Sequence, residues 1–127
     1  MKGTKVLAIL GGVALLAAEA ASTNAVAGEL RVRCEKRSTR SRISVDGRNV
    51  LPGNYSVTVS SGKSVPVTKL NAQAAIDQFE ADFDSNLADI RAGATKISRT
   101  FIQNGKVSVN VTGPEALSAT DVSCVVR

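Results

Sequence analysis

Apolar and polar residues alternate with a period of two over much of the chain beyond residue 28. Leu30, Val32 and Cys34 fall on one side of an extended segment, with Arg31, Arg33 and Glu35 on the other. The alternation returns in Ser41–Val45, Tyr55–Ser60 and Lys106–Val111, and near the far end Val122, Cys124 and Val126 share a side. A strand sends successive side chains to opposite faces, so this pattern predicts half-buried strands. Three dipeptides punctuate it. Asp46-Gly47 separates Ser41–Val45 from Arg48–Leu51, Ser61-Gly62 separates Tyr55–Ser60 from Lys63–Val67, and Asn104-Gly105 separates Thr100–Gln103 from Lys106–Val111. Asp-Gly and Asn-Gly suit two-residue hairpin turns, whose central residues need positive φ. Pro66 has no N–H to donate to a ladder and marks its segment as an edge strand.

One segment departs from period two. Ile76, Phe79, Phe83, Leu87 and Ile90 recur at steps of three and four, with Asn71 as an N-cap and Gly93 as a C-terminal cap of a helix. The competing arrangement is a strand over Ile76–Asp84, with Phe79, Ala81 and Phe83 inward and Glu80, Asp82 and Asp84 outward. Asp84-Ser85-Asn86 would end it, and Asn86–Ala92 would form a loop with a helical turn. The β-rich setting and this breaker cluster favour the strand. The expected fold is all-β, an immunoglobulin-like antiparallel β-sandwich; the alternative is α+β with one helix in 72–92.

The start of the chain is different in kind. Lys2 and Lys5 precede the apolar run Val6–Ala18, and small residues lead to Ala25-Val26-Ala27. This is the layout of a signal peptide over residues 1–27, cut after Ala27. The run is shorter than the roughly 20 residues a bilayer span needs. The expected product is a single domain, residues 28–127, secreted or periplasmic and not membrane-spanning after cleavage. Cys34 follows Arg31-Val32-Arg33 rather than small apolar residues, so it does not read as a lipid-attachment site. In an oxidising compartment the two cysteines, Cys34 and Cys124, are expected to pair.

Composition narrows the chemistry. The chain has no histidine, which removes Ser-His-Asp and Cys-His catalysis and histidine metal ligands. A carboxylate-based site on Glu80, Asp82 and Asp84 is the enzymatic alternative; a solvated acidic strand face is the plainer reading, and the chain is taken as non-enzymatic, without a cofactor. Asp82, Asp84 and Asn86, with Asp89 following, resemble the start of a calcium loop, but Leu87 and Gly93 stand where such a loop needs Gly and Glu. Asn54-Tyr55-Ser56 and Asn110-Val111-Thr112 match the glycosylation triplet but fall in or beside expected strands, and are read as structural.

The formal net charge is +5, unevenly spread. Between residues 28 and 51, Arg31, Arg33, Lys36, Arg37, Arg40, Arg42 and Arg48 oppose only Glu29, Glu35 and Asp46; between 71 and 92, Asp77, Glu80, Asp82, Asp84 and Asp89 oppose only Arg91. The arginines Arg31, Arg33, Arg40, Arg42 and Arg48 are therefore the candidate surface for a polyanion, such as an acidic envelope component or polysaccharide. Export and four aromatic residues in all weigh against nucleic acid.

Leu30-Arg31-Val32-Arg33-Cys34-Glu35, Arg40–Gly47, Phe83–Asn86 and Ala92–Thr95 together resemble a group of small exported bacterial β-sandwich proteins with no assigned activity. The resemblance runs over most of residues 28–127. It implies compartment and fold, and no reaction.

Overall fold

The computed structural model describes residues 28–127; the expected signal peptide and its cleavage site lie outside the described residues. The described residues form nine strands and one short helix: β1 Glu29–Arg37, β2 Arg40–Arg48, β3 Gly53–Ser60, β4 Val67–Ala74, β5 Gln78–Asp84, α1 Leu87–Arg91, β6 Thr95–Lys96, β7 Lys106–Thr112, β8 Leu117–Ser123 and β9 Val125–Val126. The strands make two sheets, ordered β6-β5-β2-β1-β9 and β4-β3-β7-β8. Most neighbours are antiparallel, as expected of a sandwich; the two-residue strands β6 and β9 instead lie parallel to β5 and β1.

Alternation builds the core between the sheets. Ile43 and Val45 from β2 and Phe79, Ala81 and Phe83 from β5 meet Tyr55, Val57 and Val59 from β3 and Val107, Val109 and Val111 from β7, all buried. The Tyr55 ring stacks on Phe79 with centroids 4.8 Å apart, and its hydroxyl donates to the Leu51 carbonyl at 2.6 Å. That bond satisfies the one polar atom of a fully buried ring and pins the chain as it enters β3.

Segment 72–92 is not a helix. It contains the end of β4, all of β5, and only the five residues of α1. The expected strand starts two residues late, because Ala75–Asp77 turn and leave Ile76 79% exposed. Asn86 caps α1, its side chain accepting from the Ala88 and Asp89 backbone N–H groups.

The turn dipeptides fare unequally. Asn104 (φ 56°) and Gly105 (φ 64°) are both left-handed, as a type I′ turn requires. Asp46-Gly47 does not turn: β2 runs straight through it. Gly47 sits opposite Phe79, and a Cβ there would lie 2.2 Å from the Phe79 ring. The glycine therefore makes room for an aromatic ring on the next strand. The chain turns instead at Ser38-Thr39, between β1 and β2, where no signal was legible. Beyond Ser61-Gly62, Lys63–Pro66 stays unpaired, and β4 begins at Val67 as an edge strand.

Thr100–Ile102 also forms no strand; only Gln103 bridges to Lys106. Two buried hydroxyls hold this stretch in place of a ladder. Ser41 Oγ donates to the Arg99 carbonyl at 2.8 Å and accepts from Ile102 N at 3.2 Å. Ser61 Oγ donates to the Lys106 carbonyl and accepts from Gln103 N, both at 2.7 Å. Backbone groups are thereby satisfied without a strand partner, while Ile97, Phe101 and Ile102 still reach the core.

Cys34 and Cys124 are disulfide-bonded. Cys124 lies where the chain leaves β8 in one sheet for β9 in the other, so the bond ties the two layers together. The switch also explains why Val126, expected on the same side as Cys124, is 64% exposed.

Candidate functional site

The outer face of the five-stranded sheet carries nearly all the candidate residues. Pairing of β1 with β2 and of β2 with β5 arranges them in rows: Glu29–Arg48–Gln78, Arg31–Asp46–Glu80, Arg33–Ser44–Asp82 and Glu35–Arg42–Asp84. The basic and acidic segments are thus adjacent strands of one face rather than opposite poles of the domain. Residues directly or diagonally opposite on one face are close enough to interact. Arg33 reaches Asp46 at 3.4 Å, and Ser44 Oγ donates to Asp82 Oδ1 at 2.7 Å. Glu35 accepts from Arg37 Nε at 3.1 Å and pairs with Arg127 Nε at 2.6 Å. Those hydrogen bonds and charges, Arg37 foremost, hold the Glu35 carboxyl below its ordinary value.

Arg40 is not part of the exposed surface expected of it. Its guanidinium grips Asp84 with two bonds, Nε to Oδ1 at 2.9 Å and Nη2 to Oδ2 at 2.6 Å, and reaches Asp89 at 2.9 Å. Asp84, expected to face outward into solvent, has a side chain only 3% exposed. Burial alone would push its carboxyl up; the Arg40 hydrogen bond, the Asn86 and Ser85 N–H groups and the Arg40 charge outweigh that and hold it below the ordinary carboxylate range. The planar fork of arginine suits this bidentate contact, so the geometry assigns Arg40 and Asp84 to structure.

The oxygen-rich set Asp82, Asp84, Asn86 and Asp89 is engaged in the same way. Arg40 occupies Asp84 and Asp89, the α1 cap occupies Asn86, and Ser44 donates to Asp82. Among the described residues no group of three or more acidic or cysteine side chains is placed to hold a metal ion. Glu80, Asp82, Asp84 and Asp89 do border one open cleft of about 340 Å³, with Arg42, Lys69 and Ala92–Ala94, but its lining contains no serine, threonine or cysteine to act as a nucleophile.

Four arginines remain on the open face. Arg31 and Arg33 project from β1, and Arg42 and Arg48 from β2. Arg33 is loosely held, its side chain 70% exposed; Arg31, Arg42 and Arg48 have no ion pair among the described residues. A second cleft, of about 410 Å³, opens beside them between Arg33, Glu35, Arg42, Val125 of β9 and Arg127 just after it. The contribution of Arg127 had no signal in the sequence, since it depends on β9 docking beside β1. Asn54 and Asn110, by contrast, lie within β3 and β7, as the structural reading of both triplets required. No protein-family model matches this chain, and neither curated proteins nor solved structures yield a match.

Proposed function

We propose that this chain is an exported, non-enzymatic binding module that holds an acidic partner, a polysaccharide or other polyanionic envelope component, on the outer face of β1 and β2. The observation that carries this reading is the placement of Arg31, Arg42 and the half-buried Arg48, without an ion pair among the described residues, beside the loosely held Arg33 on the outer face of one sheet. An arginine fork meets sulfate, phosphate or carboxylate with two hydrogen bonds. The acidic row of β5 borders this strip and confines the partner to β1 and β2. Export is supported by the leader pattern of residues 1–27, by the resemblance to exported bacterial sandwiches, and by a disulfide of the kind oxidising compartments sustain. A non-catalytic role is supported by the absence of histidine and by the structural use of Asp84 and Asp89.

Contacts of this type are screened over about 8 Å at physiological ionic strength. Retention on immobilised heparin at low salt is therefore expected, with elution as salt rises. An Arg31→Ser, Arg42→Ser, Arg48→Ser variant is expected to elute near the void. Equal retention of the folded variant and the parent would contradict the assignment.

A further inference from the structure

We infer that two copies of this chain pair along β1, edge to edge and antiparallel, joining their five-stranded sheets into one. This goes beyond the polyanion reading and does not depend on it.

The two sides of the sandwich are sealed differently. On the β5 side, the inward residues Phe79 and Ala81 are buried. On the β1 side, Leu30 and Val32 of β1 and Leu117, Val122 and Cys124 in or just after β8 pack on the core yet stay only half-buried. Five of the six partly buried apolar residues fringing the core line this one seam. The strand bordering it is open. β9 pairs only with Glu35 and Lys36, leaving the backbone edge of Glu29–Cys34 without a partner strand among the described residues.

Edge strands are usually guarded, and in the other sheet they are. β4 and β8 each carry an extra residue that shifts the register, with Asn71 (φ 57°) and Asp121 (φ 52°) in left-handed backbone. Such bulges bend an edge away from further pairing. β1 has none: its nine-residue ladder with β2 is unbroken.

The open segment fits a second copy of itself. The Lys36 carbonyl accepts from Arg127 N, just after β9, and so points to the open side. By the two-residue period of a strand, the backbone groups of Leu30, Val32 and Cys34 face that side too. Antiparallel self-pairing centred on Arg31 sets Leu30 opposite Val32 of the second copy, as a hydrogen-bonded pair on the inner face. On the outer face it sets Glu29 opposite Arg33 of the second copy, twice over by symmetry. In this register the paired stretch ends at Cys34, before each copy's β9. Arg31 then meets its own copy across the two-fold axis, a like-charge contact that the two flanking Glu29–Arg33 pairs offset, and the half-buried Leu30 and Val32 gain cover.

The test is sedimentation velocity of the exported protein across concentration. A rise toward twice the monomer mass is expected between about 10 μM and 1 mM. Val32→Pro removes an N–H that only the open edge uses, and is expected to stay monomeric with its disulfide intact. Glu29→Arg sets like charges opposite and is expected to be monomeric, while Glu29→Arg with Arg33→Glu restores the dimer. A parent that stays monomeric throughout, or dimers in which Glu29→Arg and Val32→Pro change nothing, would overturn the inference. Val32→Pro retained on heparin like the parent would leave the binding proposal standing whatever the oligomeric state, so the two can fail separately.

Discussion

Replacing Cys34 and Cys124 together by serine is expected to destabilise the domain by about 4–5 kcal/mol, a larger loss than any single surface change would cause. The bond spans a sequence separation of 90, and the chain-entropy model assigns a closure of that length such a value. A domain of this size has a total stability of about 5–15 kcal/mol, so the loss removes a large share of it. The position of the bond matters as well as its length. β9 is only two residues long and joins the first sheet beside β1; without the tie at Cys124, little else keeps the end of the chain from fraying. Denaturant unfolding of the double variant against the oxidised parent measures the difference. A loss under about 1 kcal/mol would mean that the sandwich holds both layers without the bond.

Arg40→Met is expected to cost about 3–5 kcal/mol at neutral pH, because it strands Asp84 as a buried charge without its partner. The pH dependence gives the mechanism a signature. Asp84 has a folded pKa below its unfolded value. Its stabilising contribution is therefore fully present above the unfolded value and is lost as pH falls through the folded one. In Arg40→Met the burial that opposes ionisation is no longer outweighed by the arginine, so acidification relieves the variant. The gap between parent and variant should narrow between neutral pH and about pH 3. Urea unfolding of both proteins at the two pH values reads this directly. A gap of constant size would show that Arg40 acts through packing of its stem alone.

These two sites also show how far local pattern reaches. The strands through Tyr55–Val59, Phe79–Phe83 and Val107–Val111 are legible because one face of each is buried and the other exposed, and alternation records that difference. The pairing of the cysteines was legible from their number and from the expected compartment. The role of Gly47 was not legible, because Phe79 comes from another strand and no residue near Gly47 announces it. Thr100–Gln103 puts two adjacent apolar residues, Phe101 and Ile102, into the core, and hydroxyls from Ser41 and Ser61, 40 or more positions away, stand in for a ladder. The arginines stand on β1 and β2, adjacent strands of one sheet. Which of them stay available depended on register with β5: Arg40 meets Asp84 44 positions away, and Asp46 holds Arg33. The open edge of β1 had no local signal either, because it exists only through the shortness of β9.

The most direct test of an exported, disulfide-closed module is the intact mass of the protein recovered from cells that make it, taken after thiol alkylation without reduction. The expected result is a chain that begins at Gly28, lighter by two hydrogens than its reduced form and carrying no alkyl adduct. A soluble, folded species that retains Met1, or that takes up two alkyl groups, would contradict it.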